Sequence, residues 1–310
     1  DFMIKHAPYR INVIANAKQG YKKQNLGSNI NSPYNDIAPL IAPDGQTLYF
    51  IRKDHPQNMK RKRDDIWYSE KQRDGSWGKA KNIGKPLNNK FYNGIIAISP
   101  DGNTMLLVGV YNPDGSYKGE GLSITHRESD GWEVPKKISI KNYYNKSGYY
   151  AFNLSNDRRT LLFAIERKDS RGDLDLYVSF LQPDNTWSEP KNMGNDLNTF
   201  GRENAPFLAA DNKTLYFSSN GHIGYGNSDI YVSKRLDNTW TRWSKPKNLG
   251  REVNSSGGEN AFTITAKGDY AYLVSWEGKQ NKYGLFRIKL HDGAKPDPVV
   301  MVYGKVLNRR

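Results

Sequence analysis

The sequence predicts an all-β protein, a five-bladed β-propeller of four-stranded antiparallel blades. Three observations lead there. One short phrase returns five times at nearly constant spacing. Each copy is built from strand-forming runs broken by turn chemistry. The phrase missing after the last copy is present before the first.

The phrase reads Ala42-Pro43-Asp44-Gly45-Gln46-Thr47-Leu48-Tyr49-Phe50 in its first copy and Ser99-Pro100-Asp101-Gly102-Asn103-Thr104 in its second. Taking Asp44, Asp101, Asp157, Asp211 and Lys267 as equivalent, the steps are 57, 56, 54 and 56 residues. A period of this size in a strand-rich chain marks an array of similar supersecondary units, each unable to bury its own faces alone.

Before each turn runs an apolar stretch. The residue three before the reference is Ile41, Ile98, Leu154, Leu208 or Ile264, and the residue six before is Ala38, Ile95, Ala151, Ala205 or Ala261. Near-continuous apolarity means a strand covered on both faces, and recurrent Ala means a crowded place. Pro-Asp-Gly then supplies a fixed φ, an Asp able to bond its own backbone and a residue tolerant of positive φ. Second strands follow over 47–52, 104–110, 160–165, 214–218 and 270–275, and third strands over 65–69, 121–125, 175–179, 229–233 and 284–288. Turns carrying Trp77, Trp132, Trp187 or Trp240 lead to a short fourth strand, Lys81-Asn82-Ile83-Gly84, Lys191-Asn192-Met193-Gly194 or Lys247-Asn248-Leu249-Gly250.

The fifth unit lacks this last phrase. Its counterpart is Lys23-Gln24-Asn25-Leu26-Gly27, followed by Ile30-Asn31 at the offset of Leu87-Asn88, Leu197-Asn198 and Val253-Asn254. The N-terminal strand is therefore expected to complete the last blade and close the ring around a narrow channel, which protects most strand edges.

These repeats resemble the PD40, or WD40-like, propeller repeats of the TolB type. They are most similar to the propeller modules of bacterial envelope proteins that also carry an OmpA-like peptidoglycan-binding domain. Phe217-Ser218-Ser219-Asn220-Gly221-His222-Ile223-Gly224-Tyr225-Gly226-Asn227-Ser228-Asp229-Ile230-Tyr231 matches the loop signature of that group, and the resemblance spans roughly residues 20–290. It implies a domain over 1–293, then a linker at 294–310 whose Val299 to Leu307 resembles the first strand of a carboxypeptidase-regulatory-like sandwich. It also implies a periplasmic, outer-membrane-associated scaffold, since one such protein belongs to the type IX secretion machinery. The expected partners are cell-envelope proteins. Peptidoglycan would be reached only through a domain that this sequence does not contain.

Composition narrows the chemistry. There is no Cys, and the five His are scattered without paired metal-ligand spacing. No Gly-x-Ser-x-Gly elbow and no Gly-rich phosphate loop occur. No cofactor, metal or catalytic residue is expected. No stretch reaches the roughly 18–20 apolar residues of a membrane-spanning helix, and a chain opening at Asp1 without Met reads as a piece of a longer or processed precursor. Forty-six Lys and Arg against 32 Asp and Glu give +14, a balance that favours anionic partners.

Three groups of residues are candidates for contact. The residues eight before the reference, Asp36, Asn93, Tyr149, Glu203 and Glu259, would ring the channel mouth, where carboxylates of five-bladed glycosidases work. The competing reading is that they bond neighbouring backbone where blades converge, because Glu-Asn-Ala recurs at 203–205 and 259–261. The densest charge, Arg52 to Arg63, contains Lys53, Lys60, Arg61, Lys62 and Arg63 and suits an acidic protein or anionic surface. Without aromatics inside it, nucleic acid is not expected. Tyr143, Tyr144, Tyr149 and Tyr150 beside Lys141 and Lys146 form an aromatic-basic patch suited to protein or glycan. The function expected is a non-enzymatic interaction propeller; the alternative is a glycan-binding or carbohydrate-active one.

Overall fold

A computed structural model of the protein describes residues 22–277 and 280–300. The first 21 residues, and the expected strand over 299–307 apart from Val299 and Val300, fall outside that range. The fold is the five-bladed propeller.

Blade 1 comprises Asp36–Ile41, Thr47–Lys53, Asp64–Glu70 and Lys81–Asn82, ordered from the axis outward. Blade 3 repeats this with Ala151–Leu154, Thr160–Ile165, Asp175–Phe180 and Lys191–Asn192, and blade 4 with Glu203–Leu208, Thr214–Ser219, Asp229–Lys234 and Lys247–Asn248. Blade 5 takes Asn260–Ile264, Tyr270–Glu277 and Lys282–Lys289 from the C-terminal end and Gln24–Asn25 from the N-terminal end. The latch is antiparallel, with Gln24 opposite Arg287 and Asn25 opposite Phe286.

Blade 2 departs from the sequence reading. Its third strand, Tyr117–Glu128, is far longer than the expected 121–125, and Gly131–Trp132 pairs back onto it. The cause is local. Where blades 1, 3 and 4 have long loops, Asn112-Pro113-Asp114-Gly115 makes a tight turn, with Gly115 at φ 80° and Asn112 N–H donating to Ser116 O at 2.8 Å. The hairpin therefore continues outward.

The apolar runs have a simple explanation. Each of the five core clusters lies between two neighbouring blades, so every inner sheet is covered on both faces. Leu161, Phe163 and Ile165 pack toward blade 2, whereas Leu162 and Ala164, from the same strand, pack toward blade 4. The turn tryptophans Trp77, Trp132, Trp187 and Trp240 each reach into the layer shared with the preceding blade.

The recurrent inner-strand alanine also has a geometric cause. At Ala38, Ala205 and Ala261 the ladder skips, between Ile37 and Leu40, Asn204 and Phe207, and Asn260 and Thr263. These alanines sit at φ 49°, 45° and 53°. A bulge in the left-handed region beside the axis leaves room for only a small side chain.

Candidate docking face

Antiparallel blades place two kinds of loop at one end of the ring: those leading into each inner strand, and those joining second to third strands. Cross-blade contacts hold them together. Asn93 N–H donates to Asp64 O at 3.0 Å, Leu174 bridges Arg202, Ser228 bridges Gly258, and Tyr283 N–H donates to Asn35 Oδ1 at 2.8 Å. All three candidate groups lie on this end.

The five ring positions do not line the axial cavity. That cavity, about 210 Å³, is walled by Ala38, Pro39, Ile95, Ala205, Pro206, Phe207 and Phe262 among others, and its surface is predominantly apolar. Asp36, Asn93, Glu203 and Glu259 are buried and turned into their own entry loops. Asp36 accepts from Ser32 N–H at 2.6 Å, Ser32 Oγ at 2.9 Å and Arg52 Nε at 2.6 Å. Glu203 accepts from Thr199 N–H at 2.8 Å and from the hydroxyls of Thr199 and Ser219, each at 2.7 Å. Glu259 accepts from Ser255 N–H at 2.9 Å and Ser255 Oγ at 2.7 Å, and pairs with Lys23 Nζ at 3.0 Å. Asn93 donates to Asp65 Oδ1 at 3.1 Å and Asp64 O at 3.0 Å. Burial holds the Glu203 carboxyl above the ordinary glutamate range, and the nearby Asp175 charge pushes the same way, against the hydrogen bonds. Tyr149, the fifth position, is 65% exposed and lies under Arg202, whose guanidinium carbon is 5.0 Å from the ring centre.

The aspartates opening the third strands tie their loops in the same way. Asp175 accepts from Arg171 N–H at 3.0 Å, Gly172 N–H at 3.2 Å and Asn192 Nδ2 at 2.9 Å. Asp229 accepts from Gly226 N–H at 3.2 Å and Asn248 Nδ2 at 2.7 Å. Among the described residues no cluster of His, Asp and Glu is arranged to hold a metal ion, and no helix is long and apolar enough to cross a membrane.

Of the basic loop, Lys60, Arg61 and Lys62 are exposed, while Lys53 pairs with Asp64 at 3.8 Å. Arg63 lies over the Tyr92 ring at 4.6 Å and donates to its hydroxyl at 2.6 Å. In the Tyr143-Tyr144 pair the two rings part. Tyr143 packs on Phe163, 6.0 Å between centroids, in the layer between blades 2 and 3, and burial raises its hydroxyl pKa. Tyr144 stays exposed under the Arg167 guanidinium at 4.2 Å.

The structure adds residues that the repeat grammar does not mark. Phe91, Tyr92, Phe200, Ile223, Trp276 and Tyr283 are exposed at this one end, beside Tyr144, Tyr149 and Tyr150, which the sequence already singles out; among the described residues the other exposed large hydrophobics are Leu236, Tyr270 and Val300. Arginines accompany them, with Arg171 over Phe200 at 4.5 Å and Arg251 over the half-buried Tyr225 at 5.2 Å. The available signal was the occurrence of aromatics inside otherwise polar loops, at positions that differ from copy to copy.

No protein-family model matches the sequence, and no curated protein matches it. Solved structures do. A structure described as a glycoside hydrolase is similar at TM-score 0.57 and 11% identity, over 93% of this chain and 95% of that one. TolB from Acinetobacter baumannii is similar at TM-score 0.47 and 13% identity, over 88% of this chain. This chain spans 63% of that TolB structure. An α-L-arabinofuranosidase from Lactobacillus brevis is similar at TM-score 0.47 and 13% identity, over 89% of this chain and 98% of that one. Likeness at such identity is a likeness of fold, which hosts unrelated functions.

Proposed function

We propose that this propeller is a non-enzymatic interaction module that docks protein partners on its loop-bearing end. The carrying observation is the concentration of exposed aromatic side chains there, several capped by arginines. Aromatics and Arg are the residue types enriched at protein-interface cores and hot spots. The closed ring supplies rigidity: loops tied to buried Asp and Glu anchors hold their aromatics in fixed places, which limits the ordering cost of binding. On the resemblance of its repeats alone, the reading extends to a periplasmic, outer-membrane- and peptidoglycan-associated scaffold of the type IX secretion kind, with envelope proteins as partners.

The alternative is a glycan-binding or carbohydrate-active propeller. Exposed aromatics also suit sugar faces, and one similar structure is described as a glycoside hydrolase. Against it, the inner-strand carboxylates accept several hydrogen bonds each and none lines the axial cavity, so no free acid and base face one another across it. The test is capture of envelope proteins by the wild type and by Phe200→Ala and Tyr149→Ala variants, run beside a glycan hydrolysis panel. Loss of capture without change in melting temperature, and no hydrolysis, is the expected outcome. Turnover of any glycan by the purified chain overturns the reading.

A further inference from the structure

Three segments of the loop-bearing end converge between blades 1 and 2: the basic loop over 54–63, the connection over 84–93, and the tight turn at 112–116. They enclose a cavity of about 480 Å³, within the range of about 300–1,000 Å³ usual for ligand sites. Its apolar wall is made by Met59, Pro86, Phe91 and Tyr117. Phe91 lies flat on Tyr117, with centroids 3.9 Å apart and planes 14° apart, and Tyr92 meets Phe91 edge-on at 5.3 Å. The wall is therefore a braced stack rather than a set of independent rotors.

The rim is cationic. Lys85 and Lys90 line the cavity, and Lys60, Arg61 and Lys62 follow its lining residue Met59 in the basic loop; all five are exposed. The one carboxylate lining the cavity, Asp114, is engaged in its own turn, accepting from Ser116 N–H at 2.9 Å and Ser116 Oγ at 2.6 Å. An apolar centre with a charged rim is the anatomy of a protein-interface pocket. Single-stranded nucleic acid would need free aromatic faces for stacking. Here Phe91 and Tyr117 spend one face each on the other, and Arg63 covers Tyr92.

We infer that this pocket receives a short acidic protein segment carrying one aromatic or large aliphatic side chain. The apolar side chain enters between Met59, Pro86 and the Phe91–Tyr117 stack, while flanking carboxylates face the five rim cations. The inference rests on the docking reading above and names its site and the chemistry of the partner.

Fluorescence anisotropy on the full chain tests it, using synthetic peptides of equal length: acidic with one Phe, the same with Gly in place of Phe, and basic with one Phe. A thymidine oligonucleotide and a heparin oligosaccharide serve as competing anions. The acidic Phe peptide should bind best, lose about tenfold in affinity on Phe-to-Gly exchange, and weaken with added salt. A Lys60→Glu, Arg61→Glu, Lys62→Glu variant and a separate Phe91→Ala variant should each lose about tenfold or more, with unchanged circular dichroism, while Leu236→Ala, exposed away from the loop-bearing end, binds like the wild type. Equal binding of the Phe and Gly peptides, tighter binding of oligonucleotide or heparin, or full affinity in the triple variant overturns the inference. If binding is instead lost in Phe200→Ala, the docking reading stands and this pocket fails. If no peptide binds and a glycan is hydrolysed, both fail.

Discussion

At the residue scale, one side chain does the work of a missing strand residue. Asn198 accepts from Leu176 N–H at 2.8 Å and donates to Leu176 O at 3.1 Å, and Asn88 does the same for Ile66 and Asn254 for Ile230. The fourth strand is too short to pair with these N–H groups, so the amide oxygen satisfies them where burial would otherwise leave them unpaired, while the carbonyls also accept from the backbone that follows the strand, Met193 N–H to Leu176 O at 3.0 Å. A second Asn positions the first: Asn192 Oδ1 accepts from Asn198 Nδ2 at 2.9 Å and from Gly194 N–H at 2.8 Å, and Gly194 turns at φ 89°. Asn198→Ala should lower stability by about 1–3 kcal/mol, since the buried Leu176 N–H loses its partner while Leu176 O keeps Met193 N–H, read as a lower urea midpoint at unchanged m-value. The sequence exposes these Asn as recurring letters. It does not expose their task, because the bonded partner lies 22 residues back in the chain and spacing carries no record of it. Glu203 allows a second measurement. Its folded-state pKa is raised, so its contribution to stability is fully present below the ordinary glutamate pKa and is lost as pH rises through the folded value. The stability difference between wild type and Glu203→Gln should therefore shift against the wild type from about pH 4 toward neutrality. A difference constant with pH in denaturant titrations would show that burial does not control this carboxyl.

At the element scale, the decisive piece is the two-residue strand Gln24–Asn25. It is too short to hold by its ladder alone, and other bonds fasten it. Leu26 N–H donates to Leu285 O at 3.1 Å, Asn31 bonds Leu285 N–H at 2.7 Å and Leu285 O at 2.9 Å, and Lys23 reaches Glu259 and Ser275. Removing residues up to Gly27 should leave Lys282–Lys289 as an open edge, and open edges pair with other chains. Amide exchange across Lys282–Lys289 should then quicken ahead of blade 3, with dimers on size exclusion. Unchanged protection would mean that blade 5 closes without the latch. This element was legible before any coordinates, because an absent phrase at one end and a surplus one at the other admit one arrangement in a ring. Blade 2 was less legible. Lys136–Lys137 carries no Asn-x-Gly, and the tight turn at Asn112 to Gly115 lengthens a hairpin that repeat alignment alone would have cut short.

At the scale of the whole molecule, the repeat fixes the ring while the variable loops carry what distinguishes one propeller from another. Apolar runs that ignore strand alternation announced sheets covered on both faces, so the layers between blades could be foreseen. Beyond the tyrosine patch, the aromatic end could not, because Phe91, Phe200 and Trp276 occupy different positions in their copies and come to one end only when the blades are arranged radially. The same radial arrangement makes stability a property of pairs of blades. Trp187 shows why: it belongs by sequence to blade 3, yet packs in one cluster with Ile96, Leu106 and Leu122 of blade 2, and its backbone exchanges bonds with Ser139 and Lys141 at 2.8 and 2.9 Å. Trp187→Ala should cost about 3–5 kcal/mol, the usual penalty for emptying a buried aromatic site. Its effect should spread across the shared layer, lowering exchange protection of Tyr117–Glu128 in blade 2 and Asp175–Phe180 in blade 3 together, while blade 5 is disturbed least. Protection lost in blade 3 alone would mean that the blade, rather than the layer between blades, is the cooperative unit.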